Sequence, residues 1–330
     1  MPRSSSPGRQ RTGLGAAWGM SLLSAASFST SGSVGTSLLA AGWSPAAAVL
    51  ARVGIAAIVL AIPAVVALRG RWHVLRRQAG QTTTYGLAAV AGAQLCYFIA
   101  LQHLAVGVAL MLEYSGLLLV VGWMWLRHGQ RPRQLTAAGA VAAMVGLALV
   151  LGVFGHSHLD IAGVLWALGA AFGLATYFVV AGHGTDELPP VALASSGMAV
   201  GAVALALAGL TGIVPLRATF GTVVLAGREV SWLVPVACLS LIAATLAYVS
   251  GISAARMLGP RLASFAGLTE VMFAVLFAWL LLGQVPVPVQ LAGGALIVAG
   301  IAMVRLDELR PAPELPPAAP RSEPELAGQR

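Results

Sequence analysis

The chain has 330 residues, of which 58% are hydrophobic and only 9% charged, and its mean hydropathy is +0.87. A soluble domain carries about 25% charged residues, so this chain lacks the polar surface for one, and it is too apolar to be disordered. The net charge of +8 comes from arginine alone, in short groups between apolar runs, which is a pattern of membrane topology and not of a clustered nucleic-acid surface.

Arg3, Arg9 and Arg11 precede an apolar run from Leu14 to Ala40. That run exceeds the ~7–15 residues of a signal-peptide core, so it is read as a retained membrane helix. Ten apolar windows follow one another, near residues 14–40, 45–68, 82–101, 105–126, 134–154, 161–182, 190–211, 232–253, 261–282 and 288–304. Each is close to the ~20 residues that cross a bilayer as a helix. Membrane-barrel strands would be shorter and would alternate in polarity. The fold class expected is therefore all-α integral membrane. Abundant glycine and alanine suit close helix packing in lipid. Thr211 to Ser231 reads as a loop, and the proline-rich tail 306–330 as a disordered cytoplasmic segment. Cys96 and Cys238 lie within apolar runs and show neither a metal spacing nor a disulfide framework.

With the N-terminal segment 1–13 in the cytoplasm, sixteen of the 19 arginines fall on the cytoplasmic side. Arg217 and Arg228 fall outside, and Arg52 lies within a window. This bias places both termini inside a cell (inner or plasma) membrane. The loop with Asp186 and Glu187 is the cytoplasmic exception.

A shift of 154 residues places Leu104 on Leu258, Trp125 on Trp279, Gly129-Gln130 on Gly283-Gln284, Pro132 on Pro286, Gly139 on Gly293 and Gly146 on Gly300. Near the start of each half, Gly15 and Trp18 fall on Gly163 and Trp166 at a shift of 148. The windows thus form two five-helix halves, 14–154 and 161–305. An odd helix count makes the halves enter the membrane from opposite sides, a recurrent transporter design with the substrate site between the halves.

Leu268–Val304 resembles the end of an EamA-type repeat of the drug/metabolite transporter superfamily, and Leu22–Leu60 resembles the opening of the first repeat. The resemblance covers about 14–305. It implies ten helices, cytoplasmic termini and movement of a small metabolite by alternating access. Leu112-Glu113-Tyr114-Ser115-Gly116 is also similar to the fourth-helix motif of threonine/homoserine-type exporters, with Leu117 where those usually have proline.

Glu113 and Glu270 each fall roughly 12–14 Å into their windows, near the midplane. Small residues beside them turn both carboxyl groups toward other helices. A carboxyl group at that depth costs several kcal/mol unless it meets a cavity or a partner, so these two are the leading candidates for substrate or proton binding. The competing reading is a satisfied glutamate that pins helices together. Arg52 could pair with a glutamate, hold a substrate carboxylate, snorkel, or cap carbonyl groups. Ser24, Ser27, Thr30 and Ser31 form a polar stripe. Tyr97, Tyr114, Ser115, Thr269, Gln94, Tyr248, Tyr177 and Trp18 complete the candidate lining, with bonding across helices as the alternative. His103, His156 and His158 read as a solvated outer surface, since two histidines do not make a metal site.

The expected function is a secondary transporter exporting an amino-acid-like metabolite or drug, with protons as coupling ion. Burial raises a carboxyl pKa and permits proton binding near neutral pH. An uncoupled facilitator or uptake carrier and a non-transporting sensor are the alternatives. No P-loop, catalytic nucleophile–base pair or HExxH motif stands in the chain, so neither ATP-driven transport nor an enzyme is expected. The expected partners are a small-molecule substrate, protons and membrane lipid, with a homodimer left open. No nucleic acid, cofactor or metal is expected.

Overall fold

A computed structural model describes residues 7–104, 106–128, 133–150, 160–182, 188–282 and 288–308. The Gly-Gln-x-Pro matches, Asp186, Glu187, His156, His158 and the tail from 309 lie outside the described residues.

Helices dominate. α1 is Pro7–Ala40, α2 Pro45–Ala67, α3 Trp72–Arg77 and α4 Ala79–Thr84. A π-helical segment, Tyr85–Gly92, joins α4 to α5 (Ala93–His103). Then come α6 (Val106–Tyr114), α7 (Gly116–His128), α8 (Gln134–Val150), α9 (Ile161–Gly182) and α10 (Pro190–Leu210). After two short strands, α11 (Leu233–Ala237) and a second π-helical segment (Cys238–Leu246) lead into α12 (Ala247–Gly267). α13 (Thr269–Leu282) and α14 (Pro288–Glu308) end the described chain.

Local chemistry sets several of these boundaries. Ser44 accepts a hydrogen bond from the Ala47 amide, and Pro45 occupies the first helical position, a pairing that starts helices well. Gly259, at φ 79°, and Pro260 turn the chain within α12. Asp160 accepts from the Ala162 amide at the start of α9.

Among the described residues, five stretches are long and apolar enough to cross a membrane: Pro45–Ala67, Ala79–His103, Ile161–Gly182, Pro190–Leu210 and Leu233–Gly267. The remaining windows are helical but depart from the expected ten plain spans for physical reasons. α1 is diluted by the serines that it turns inward. The fourth window is broken between α6 and α7, and the ninth between α12 and α13. Gln134–Leu149 and Leu291–Val304 are apolar but shorter. Ile58, Ile62, Leu165, Phe172 and Leu207 stand exposed around the outside, as lipid-facing side chains do and as a water-soluble surface would not tolerate in such number.

The packing obeys an exchange of halves. α1 lies on the rod 238–267, while α9, its counterpart, lies on 85–103. α2 packs on α10, and α8 on α14. In the last pair Gly139 faces the Gly300 backbone and Gly146 faces Gly293, so the two helices run antiparallel. A Cβ on Gly300 would lie 2.5 Å from the Gly139 carbonyl oxygen, and one on Gly146 would lie 2.6 Å from that of Gly293. Since Gly139 corresponds to Gly293 and Gly146 to Gly300, exchanging the halves turns one contact into the other.

The segment read as a loop, Thr211 to Ser231, contains a hairpin. β1 (Thr222–Leu225) pairs antiparallel with β2 (Arg228–Ser231). The positive φ of Ala226 and Gly227 suits the tight turn between twisted strands. Sequence inspection missed it because its strands are only four residues long. It docks on the α1–α2 junction: Trp43 Nε1 donates to Thr219 O at 2.8 Å, and the Trp43 ring stands 5.9 Å from that of Trp232.

Candidate functional site

The two helix breaks are repeat-equivalent. Ser115 ends α6 and Thr269 begins α13, one repeat apart. Ser115 Oγ donates to Leu112 O at 2.6 Å, and Thr269 Oγ1 donates to Ala266 O at 2.7 Å. Each hydroxyl thereby satisfies a carbonyl oxygen next to its break. Both residues were expected on a binding surface, and both instead bond their own helices.

Between the halves lies a cavity of about 110 Å³. Glu113, Glu270, Arg52, Tyr97, Tyr114, Gln94, Tyr248 and Tyr177 line it, as do Phe28 and serines of α1. Trp18 is not on that wall; half-buried, it packs against the hydrophobic core.

Arg52 is 1% exposed, so it does not snorkel. Its Nη1 donates to Ser31 Oγ at 2.7 Å and to Gln94 Oε1 at 2.5 Å, and its Nη2 donates to the Ala243 carbonyl. The guanidinium carbon stands 6.0 Å from the Phe28 ring centre. No ion pair joins Arg52 to Glu113 or Glu270 among the described residues. The carbonyl-capping reading is therefore the one seen, extended by two side chains.

Ala243 belongs to the second π-helical segment. The equivalent residue of the first, Ala89, accepts from Tyr248 Oη at 3.5 Å. Widening a helix to i→i+5 bonding frees carbonyl groups for such use. These two acceptors could not be read from side-chain identities. Gln94 and Tyr248, themselves repeat-equivalent, meet at 3.4 Å where the halves face each other.

Glu270, in the first turn of α13, accepts from Tyr114 Oη at 2.7 Å; Tyr114 also lies 3.1 Å from Gly267 O. One tyrosine from the first break thus ties down the second. Glu113 is 8% exposed and makes no hydrogen bond within the protein among the described residues. Its carboxyl group faces the cavity alone. Phe28, Tyr177 and Tyr248 pack edge to face, with centres 5.0 to 6.3 Å apart. Gly251 makes room for the Tyr177 hydroxyl: a Cβ there would lie 2.0 Å from it. Phe28, Phe178 and Gly251 were missed in the sequence, since an aromatic ring or a glycine in an apolar run carries no sign that it faces a cavity.

A two-fold match completes the picture. A model of the EamA-like transporter family matches residues 14–152 and again 161–306. The chain belongs to the EamA-like transporter family. It is thus a multi-pass membrane protein of a family of small-molecule transporters, not of enzymes. This EamA-like chain has no match among curated proteins. Twenty solved chains match it. One of them, described only as a crystal structure of a protein, is 20% identical with a TM-score of 0.68, over 88% of this chain and 96% of its own. At that identity the likeness speaks for the fold alone. The family match does not reach the finer likeness to threonine/homoserine-type exporters; the residues that suggested it, Leu112 to Gly116, surround the first helix break.

Away from the cavity, His103 Nδ1 lies 2.8 Å from Asp160 Oδ2 at the ends of α5 and α9. This contact and the Ala162 amide hold the Asp160 carboxyl below its ordinary pKa. Both side chains are partly exposed, in keeping with the solvated surface expected for His103. Arg256 Nη1 donates to the Leu188 carbonyl.

Proposed function

We propose that the chain is a proton-coupled secondary transporter that exports a small amine-bearing, amino-acid-like metabolite across the cell membrane. The observation that carries this reading is Glu113, a buried carboxyl group on the cavity wall with no hydrogen-bond or ion-pair partner among the described residues. A carboxylate in a low-dielectric site is costly unless a cation or a proton accompanies it. A group that must surrender its proton to take substrate exchanges one for the other, and so couples inward proton movement to outward substrate movement.

In this reading ten spans form two inverted five-helix halves, with both termini cytoplasmic. The broken helices α6–α7 and α12–α13 bend at their midpoints as the cavity opens to one side and then the other. Tyr114, bridging the two breaks, passes the state of one carboxyl region to the other.

Proteoliposomes loaded with an amino-acid, amine and drug panel, with an acidic exterior and an internal pH dye, test the proposal. It expects internal acidification that depends on at least one loaded compound. Acidification equal to that of empty liposomes for every compound counts against proton-coupled export.

A further inference from the structure

We infer that the segment between α2 and α4, residues 69–77, is a docking surface for the headgroups of anionic phospholipids. Its place in the membrane follows from α2. Ile58, Ile62, Val65 and Val66 stand exposed on that helix as lipid-facing side chains, and the apolar run ends at Leu68. Directly after it come Arg69, Arg71, Arg76 and Arg77, with no acidic residue among them. A basic cluster immediately beyond a membrane helix lies at headgroup depth, within reach of lipid phosphates.

The local structure holds this charge open. Gly70, at φ 72°, turns the chain after α2, and the Arg71 amide donates to Leu68 O at 2.7 Å. α3 follows and buries Val74, while Arg76 and Arg77 stand exposed in its last turn. Arg71 Nη2 donates to Ala67 O at 2.9 Å and so closes the end of α2. Arg69, Arg76 and Arg77 are exposed and have no side-chain hydrogen bond or ion pair among the described residues. Their guanidinium groups therefore keep the fork of donors that fits a phosphate. Trp72 stands exposed between Arg71 and His73, and tryptophan settles at the membrane–water interface, with its ring among the chains and its N–H toward the headgroups. The lipid-facing side of α2 runs straight into this cluster, so the phosphates it meets are those of the surrounding leaflet.

Native mass spectrometry of the purified full-length protein in detergent tests this by counting bound lipid. Dioleoyl-phosphatidylglycerol and dioleoyl-phosphatidylcholine, offered in equal amounts, share their acyl chains and differ in headgroup charge. The wild-type protein is expected to retain phosphatidylglycerol in preference by roughly tenfold. The combined variant Arg69→Gln, Arg76→Gln, Arg77→Gln should cut that preference several-fold. Arg217→Gln with Arg228→Gln, which removes two exposed arginines at the hairpin, should leave it unchanged. Glycerol phosphate, which carries the phosphate without acyl chains, should not displace the lipid at equal concentration. The comparison of the two lipids on the unmodified protein needs no variant to fold. Equal uptake of the two lipids, full preference in the triple variant or an equal loss in the hairpin variant overturns the assignment. Displacement by glycerol phosphate overturns it too, since the site would then be one for soluble phosphate.

Discussion

Arg52 carries a full charge in the membrane interior, and three protein acceptors hold it there. Such a group is expensive to bury, and the bonds of Nη1 and Nη2 offset part of that cost while Nε is buried without a partner. Arg52→Met leaves Ser31, Gln94 and the Ala243 carbonyl without their donor. It should lower stability by about 2 kcal/mol, read as an earlier thermal unfolding midpoint in detergent; an unchanged midpoint would show that the network contributes nothing net. Tyr114→Phe removes one hydrogen bond to Glu270 and little volume. Its expected cost in stability is about 1 kcal/mol, whereas proton-driven flux should fall several-fold. A variant with full flux would sever Tyr114 from the coupling. Glu113, Glu270 and Arg52 were legible in the sequence because charges are rare in apolar windows and must have a reason to be there. The carbonyl groups of Ala89 and Ala243 were not, because a π-helical turn is a backbone event without a side-chain signature.

At the scale of elements, the apolar runs located the long helices but not the short α3, and tryptophan and glycine spacing revealed the two halves. The breaks at Ser115 and Thr269 escaped notice, since a serine or threonine in a helix often only bonds back to its own turn. The hairpin escaped because it is short and anchored by Trp43 and Ser44, residues far from it in sequence. The antiparallel pair α8–α14 offers the sharpest test of the packing. Gly300→Ala pushes a methyl group into the Gly139 carbonyl and should cost about 1–3 kcal/mol. Gly122→Ala, in α7, meets nothing within 4 Å and should shift the unfolding midpoint little. Equal shifts for the two variants would contradict the close approach of α8 and α14.

Across the whole molecule, the exchange of halves links several otherwise separate observations. The π-helical segments, the helix breaks and the glycine contacts all recur one repeat apart. The charges do not: Glu113 corresponds to Gly267, and Glu270 to Gly116. A nearly symmetric frame therefore holds an asymmetric site. The repeat was legible from tryptophan, glycine and proline matches, whereas the way the halves meet at Gln94 and Tyr248 emerged only in three dimensions. The claim at the centre is that Glu113 exchanges a proton for substrate. Its most direct test is proton-driven flux by Glu113→Gln in proteoliposomes, using whichever compound the wild-type protein moves, with an acidic exterior and an internal pH dye. The account predicts that substrate-dependent acidification disappears in this variant, because glutamine keeps the shape but cannot carry the proton. Acidification at the wild-type rate would contradict it.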